Sequence, residues 1–439
     1  MKVMKKPELM APAGDMTSLR AALDSGADAV YFGIKSFNMR EGAKNFLPEE
    51  MPQIAELCHE KHARCYLALN TIIFDSEISS IDELIKSAVK ARIDAIICWD
   101  FAVIESALRQ GIQPFISTQM SVSNSASIEF FYRRYNIKRF VLARECSLDD
   151  IIQIRKNLIS RLGDEAGNIE IEVFVHGAMC VSISGRCFMS QFQSGKSANR
   201  GECNQPCRRE YTIRSVSNEN EFTMGNNYIM SPKDLCTIGF LDKIIEAGVD
   251  SMKIEGRGRS PEYVSTVTSC YRRMIDFYFS EREKLNCSEI AMTKELFNEY
   301  TINFQNKIQQ LKAELTTELV QVFNRGFSDG FFFGRPMSEW TTKGGSQATH
   351  RKVLVGVVTN FFKKVMVAEI KVEATSFNTG QELMFQGPTT GVINLRAESI
   401  EYNFQKVNTA EKGTLVGVKL SEIVRINDLV FIQIPEPAA

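Results

Sequence analysis

Cys180, Cys187, Cys203 and Cys207 fall in one stretch, HGAMCVSISGRCFMSQFQSGKSANRGECNQPCRREY (His176–Tyr211), while the other seven of the 11 cysteines are scattered through 439 residues. Ser184 and Gly185 can bend the chain between the first pair, and Arg208 and Arg209 follow the last. Cys236 stands a little further on, in SPKDLC. Thiolates grouped in a Gly- and Ser-rich loop suit a soft metal centre, and either an iron–sulfur cluster or zinc takes four such ligands. The spacing matches neither a pair of Cys-x-x-Cys knuckles nor a bacterial ferredoxin run. Cys65, Cys98 and Cys146 sit in apolar runs and read as core residues.

The same stretch is basic. From Gly185 to Arg214 it carries Arg186, Lys196, Arg200, Arg208, Arg209 and Arg214 against Glu202 and Glu210. That excess suits a phosphate-bearing or polycarboxylate ligand, or is a solvated face. His176, one of four histidines, precedes Cys180 by four residues. It is either an acid–base group or a satisfied histidine that orders the cysteine loop. His59 and His62 in HEKH are three apart, whereas zincin chemistry needs a spacing of four, so they read as a solvated helix face.

These residues need a scaffold, and the first part of the chain alternates short apolar runs with amphipathic stretches. ELMAPAG, AVYFGI, RCYLALNTII, AIICWD, PFISTQM, RFVLAREC, IEIEVFVHG and SMKIEG read as eight strands. Helices are expected between them, including one over SPKDLCTIGFLDKIIEAG, and after the last over Pro261–Ser280. Eight such units in about 280 residues predict an α/β fold, a (β/α)8 TIM-like barrel, with a doubly wound sheet as the competing architecture. The expected organisation is a barrel over 1–282 with a cysteine-rich insertion near 178–230, a helical and Gly-rich connector over 283–349, and a small all-β domain over 350–439. In such a barrel the reacting groups sit at the C-terminal strand ends. Those ends carry Asn70, Asp100, Gln119, Glu145, His176 and Glu255, with Arg144 and Arg257 beside two of them. A polar residue at so many ends points to a shared pocket.

Hydrophobic content of 44% and charged content of 24% are ordinary for a globular protein, and the net charge of -1 gives no global attraction to nucleic acid or membrane. No segment has the unbroken apolar length that spans a membrane, and the N-terminal MKVMKKPELMAPAGD has no apolar run behind its charges. A cytoplasmic location is therefore expected, where thiols stay reduced.

EVFVHGAMCVSISGRCFMS (Glu172–Ser190) resembles the signature of the collagenase-like peptidase family U32. Glu172, Phe174, Gly177, Ala178, Met179, Cys180, Gly185, Cys187, Met189 and Ser190 all match it. ELMAPAGD, ANRGECNQPCR, SPKDLC, SMKIEGR and FNRGFSDGFFFG also resemble family blocks, so the likeness runs from Glu8 to Gly334. It implies an iron–sulfur-dependent hydroxylase, closest to the tRNA enzymes that form 5-hydroxyuridine at the wobble position with prephenate as oxygen donor. The alternatives are a peptidase, or a hydroxylase of another RNA or of a quinone precursor. The resemblance maps [4Fe–4S] ligands onto Cys180, Cys187, Cys203 and Cys236, with Cys207 the alternative to Cys236. It implies tRNA and prephenate as partners, with association with an identical or related subunit a further expectation. Within this frame His176, Glu255, Asp100 and Glu145 are the expected catalytic groups. Arg257, Arg144, Arg186, Asn70, Gln119, Arg208 and Arg209 are the expected substrate contacts, Arg257 first for a dianionic donor.

Overall fold

The computed structural model describes residues 5–211, 228–289 and 294–436. Eight parallel strands form a closed barrel: β1 (Glu8–Ala13), β2 (Ala29–Phe32), β3 (Arg64–Ala68), β4 (Ala95–Cys98), β5 (Gln113–Ile116), β6 (Arg139–Val141), β7 (Glu170–Ala178) and β9 (Ser251–Ile254). β9 closes the ring by pairing with both β1 and β7. The helices α1 (Met16–Asp24), α2 (Met51–Glu60), α3 (Ile78–Lys90), α4 (Phe101–Arg109), α5 (Ser125–Tyr135) and α6 (Leu148–Leu162) follow strands one to six. Their starts are set locally: the Asp15, Asp100, Asn124 and Ser147 side chains accept backbone N–H bonds as N-caps. The apolar faces of these helices and the outward faces of the strands make one core.

Two elements depart from the sequence expectation. SPKDLC is not helical. Asp234–Cys236 forms a short strand, β8, antiparallel to the end of β7, and the helix that follows, α8, is confined to Leu241–Glu246. The helix read after the eighth strand is longer than expected: α9 runs Pro261–Glu289, and α10 follows over Lys294–Leu319. Beyond them β10 (Phe327–Ser328) adds to β8. The Gly-rich TTKGGSQ is hydrogen-bonded to the barrel, with Thr341 N donating to Ser231 O (2.8 Å) and Gln347 N to Asn324 O (2.7 Å). No helix among the described residues is long and apolar enough to cross a membrane.

From His350 the chain is β-structure: an eight-stranded antiparallel sheet built from strands between His350 and Pro435, and a two-stranded pair, Phe377–Asn378 with Thr409–Ala410. It encloses its own core around Val355, Ile370, Phe385, Val418 and Val430.

The barrel interior is unusual in carrying charge. Tyr31, Tyr66, Ile97 and Phe115 fill part of it. At the N-terminal strand ends Arg139, 1% exposed, is bonded to Glu8 and to Glu170 (2.7 Å), with its guanidinium 4.5 Å from the Phe115 ring centre. Higher up, Lys253 Nζ donates to Glu172 (2.9 Å), and both side chains are buried. Buried ions are tolerated when paired in this way.

Candidate functional site

Between β7 and β8 the chain leaves the barrel and lies across its mouth. Glu145 holds the first turn of this insert, accepting from Ser184 N and Oγ, both at 3.1 Å. A short helix, α7 (Met189–Ser194), follows Cys187. The return is clamped over β3: Arg200 pairs with Glu77 and donates to Ile72 O, and Cys187 N donates to Asn199 Oδ1 (3.0 Å). Gly201 has φ +93°, and a Cβ there would run into the Asn38 carbonyl oxygen, so only glycine lets the insert settle on the loop after β2.

Insert and strand ends enclose a basin of about 640 Å³. Cys180, Cys187, Cys203 and Cys207 all line it. Asn70, Gln119, Arg144, Glu255 and Arg257 line it too, together with Tyr31, Arg40, Lys253 and Arg259. Arg257 is 5% exposed; its Nη1 donates to Asn38 Oδ1 (3.0 Å), and its Nε is buried without a partner. Arg144 donates from Nη1 to Ala178 O (2.8 Å), stacks 4.3 Å from the Phe174 ring centre, and also keeps a buried, unpartnered Nε. Glu255 accepts from Arg40 at 2.9 and 3.2 Å. Burial alone would push its carboxyl up, but Arg40, Arg144 and Arg257 together hold it down to about 2, so it stays ionised. Asn70 Oδ1 accepts from Met39 N (3.1 Å), and its amide faces Gln119.

Cys236 does not reach this basin. The antiparallel pairing of β8 sets it opposite His176, 7% exposed within the core, where burial pushes its thiol up to about 11. Of the two residues expected as alternatives for the fourth ligand, Cys207 lines the basin and Cys236 does not. Among the described residues no three of the basin thiols converge within 4.8 Å, whereas ligands around one zinc ion are about 3.8 Å apart. Four thiols on one wall are a donor set for a thiolate-held group, and their spread is wider than a single zinc ion requires.

Other expected site residues lie elsewhere. His176 is 2% exposed, boxed by Tyr263, Tyr271 and Phe327, with Nδ1 3.3 Å from Tyr271 Oη. Burial, helped by Arg259, holds it down to about 3, so it is a neutral core histidine and not a basin acid. Asp100 caps α4 and accepts from Ile73 N (3.2 Å). Glu145 serves the insert, as described. Arg186 turns to Ser121 and the Trp99 ring outside the basin. Arg208 lines the basin, but its guanidinium is used on Ser231 Oγ (2.9 Å), Pro232 O (2.6 Å) and Met179 O, which makes it a brace. Arg209 is exposed and away from the lining. Arg214 lies outside the described residues.

Tyr31, Arg40 and Lys253 were not anticipated from the sequence. A signal existed for Lys253: in SMKIEGR the polar residues 253, 255 and 257 recur at every second place, which puts them on one face of a strand. Arg40 lies in an irregular loop and carried no such signal.

A family model described as Peptidase family U32 matches residues 14–342. The chain is 39% identical over 427 residues to a protein of Porphyromonas gingivalis named Collagenase, covering 97% of each. It is 32% identical over 392 residues to tRNA hydroxylation protein P1 of Bacillus subtilis, covering 88% of this chain and 85% of that one. It is also 34% identical over 290 residues to the 23S rRNA 5-hydroxycytidine synthase of Escherichia coli, covering 66% of this chain and 42% of that protein.

Proposed function

The chain belongs to peptidase family U32, and from that premise we propose that it is an RNA-hydroxylating enzyme whose substrate is tRNA. The observation that carries the reading is the meeting, in one basin, of four thiols with two arginines, Arg257 and Arg144, that each keep a buried, unpartnered Nε–H. The names of the Bacillus subtilis and Escherichia coli relatives support hydroxylation of RNA as the activity. The finer reading is 5-hydroxyuridine formation at the wobble position with prephenate as donor.

Cys180, Cys187, Cys203 and Cys207 would hold a [4Fe–4S] cluster, with Cys207 in place of Cys236. When bound, such a cluster supplies electron-transfer chemistry at the basin wall. The remaining work falls to the protein's own side chains. Arg257 and Arg144 offer charge-assisted hydrogen bonds to a dianionic donor. Glu255, ionised and paired with Arg40, repels a carboxylate from its own corner and so orients the donor toward the two arginines. The insert across the mouth limits water, which strengthens each of these interactions. A pocket at strand ends admits one unstacked base more readily than a duplex, and wobble nucleotides lie in a single-stranded loop.

The relative named Collagenase gives the second reading, a peptidase. Mass spectrometry of tRNA nucleosides separates the two. A deletion strain should lack 5-hydroxyuridine; wild type and Cys236→Ala should restore it, and Cys207→Ser should not. Anaerobically purified protein should carry about four irons per chain. Unchanged 5-hydroxyuridine in the deletion strain rules the leading reading out, and cleavage of denatured collagen by the purified protein would favour the peptidase.

A further inference from the structure

At the far end of the barrel, three carboxylates perform the same backbone task with different company. Asp28 accepts from Leu9 N (2.8 Å) and is neutralised by Arg272 (2.9 Å). Asp250 accepts from Ile171 N (2.7 Å) and is neutralised by Arg155. Asp94 accepts from Cys65 N (2.8 Å), yet no arginine answers it. Its Oδ2 instead faces His59 Nε2 at 3.0 Å and Cys65 Sγ at 3.4 Å. Cys58, whose carbonyl closes the turn between α2 and β3, is buried as well.

These four residues come from two neighbouring elements and one loop. Cys58 and His59 end α2, Cys65 is the second residue of β3, and Asp94 precedes β4. The reversal between α2 and β3 is tight: Ala63 N donates to Cys58 O (2.9 Å), and His62 takes a φ of +58°. The ligand atoms of His59, Cys65 and Asp94 all lie within 4.8 Å of one another. Around a tetrahedral zinc ion, nitrogen, oxygen and sulfur ligands at their usual bond lengths stand about 3.2–3.8 Å apart. The observed separations are close to that before any ion is added. Both thiols are fully buried, while His59 and Asp94 are about a third exposed at 29% and 32%, which leaves the ion a way in from solvent.

We propose that His59, Cys65 and Asp94 form a zinc site that staples α2 to the start of β3 and supplies Asp94 with the cation that arginines give to Asp28 and Asp250. Binding replaces the thiol proton with the ion and releases it to solvent, with no change of oxidation state. Three protein ligands leave the fourth position to water, and the site sits at the barrel end opposite the basin, so its role is stability and not catalysis. It stands apart from the RNA reading and survives that reading's failure.

The test is the zinc content of the full-length protein, loaded with zinc sulfate and freed of excess metal. The basin is disabled in parallel by Cys180→Ser with Cys187→Ser. The basin-disabled protein should retain a single zinc, and His59→Ala or Asp94→Asn in that background should lose it. Both replacements are at part-exposed side chains, and circular dichroism checks that the fold persists. With cobalt(II) as the probe in the same basin-disabled background, the thiolate-to-metal absorption should vanish in Cys65→Ala. Zinc that follows the basin thiols and is indifferent to His59→Ala and Asp94→Asn overturns the proposal.

Discussion

Arg257 is positioned by what its neighbours lack. A Cβ on Gly33 would meet its Nη1 at 2.5 Å, so a bare backbone there makes room for the guanidinium, and Asn38 then fixes its angle. Arg257→Lys keeps the charge but loses the planar fork. Donor affinity should fall about ten- to a hundredfold, the loss of a charge-assisted contact on the order of 1.5–3 kcal/mol. Titration of the donor with iron content confirmed checks this, and wild-type affinity would shift the assignment to Arg144. At this scale the structure gathers some of the expected residues in one basin and sends others elsewhere. Arg257, Arg144, Asn70, Gln119 and Glu255 were legible because each ends a strand, where the barrel geometry collects side chains. His176 and Asp100 end strands too, but one is turned into an aromatic box and the other caps a helix. Nothing local distinguishes a strand-end residue that faces the basin from one turned into the core.

The elements were legible where a repeating pattern specified them. Seven β/α alternations leave periodic apolar stripes that survive in a single sequence. β8 left none, because three residues held by pairing with β7 owe their conformation to a distant partner. That misreading also put Cys236 on a helix, whereas it lies on the strand paired with β7, opposite His176. The seat of the insert gives an element-level prediction. Gly201→Ala combines a left-handed backbone with a collision at Asn38 O, a strain of about 1–3 kcal/mol that the insert relieves by lifting from the β2 loop. Iron retention during gel filtration should drop in this variant while the barrel's far-ultraviolet circular dichroism is unchanged. Full retention would mean that the thiols are held without that contact.

Across the whole molecule, the β-structure from His350 leans on the barrel's first and ninth helices. Arg20 Nε donates to Pro388 O (2.8 Å), Gly391 packs against Arg20 and Ala21, and Glu262 accepts from Lys352 (2.8 Å) and Gln386 (3.0 Å). None of these contacts involves a basin thiol. Removing residues from His350 onward should weaken RNA binding about tenfold, or roughly 1.4 kcal/mol, at fixed salt, with iron content unchanged. Filter binding and iron analysis on one preparation check both halves, and loss of iron would assign the sheet to folding. The α/β plan and the β-rich end were both visible in the sequence. The docking between them was not, because it depends on single side chains meeting across 90 or more positions of chain.

The cysteine insert departs from the barrel at Ala178 and comes back at Asp234, and these two residues are cross-strand partners. Its beginning and end therefore share one rung of a ladder, like a handle whose two ends meet at one place on the rim. The circumference of the barrel is indifferent to the handle's length, since β7 already reaches β9 directly. A chain built this way can exchange the handle, and with it the reagent presented over the mouth, while every hoop of the cask below stays in register.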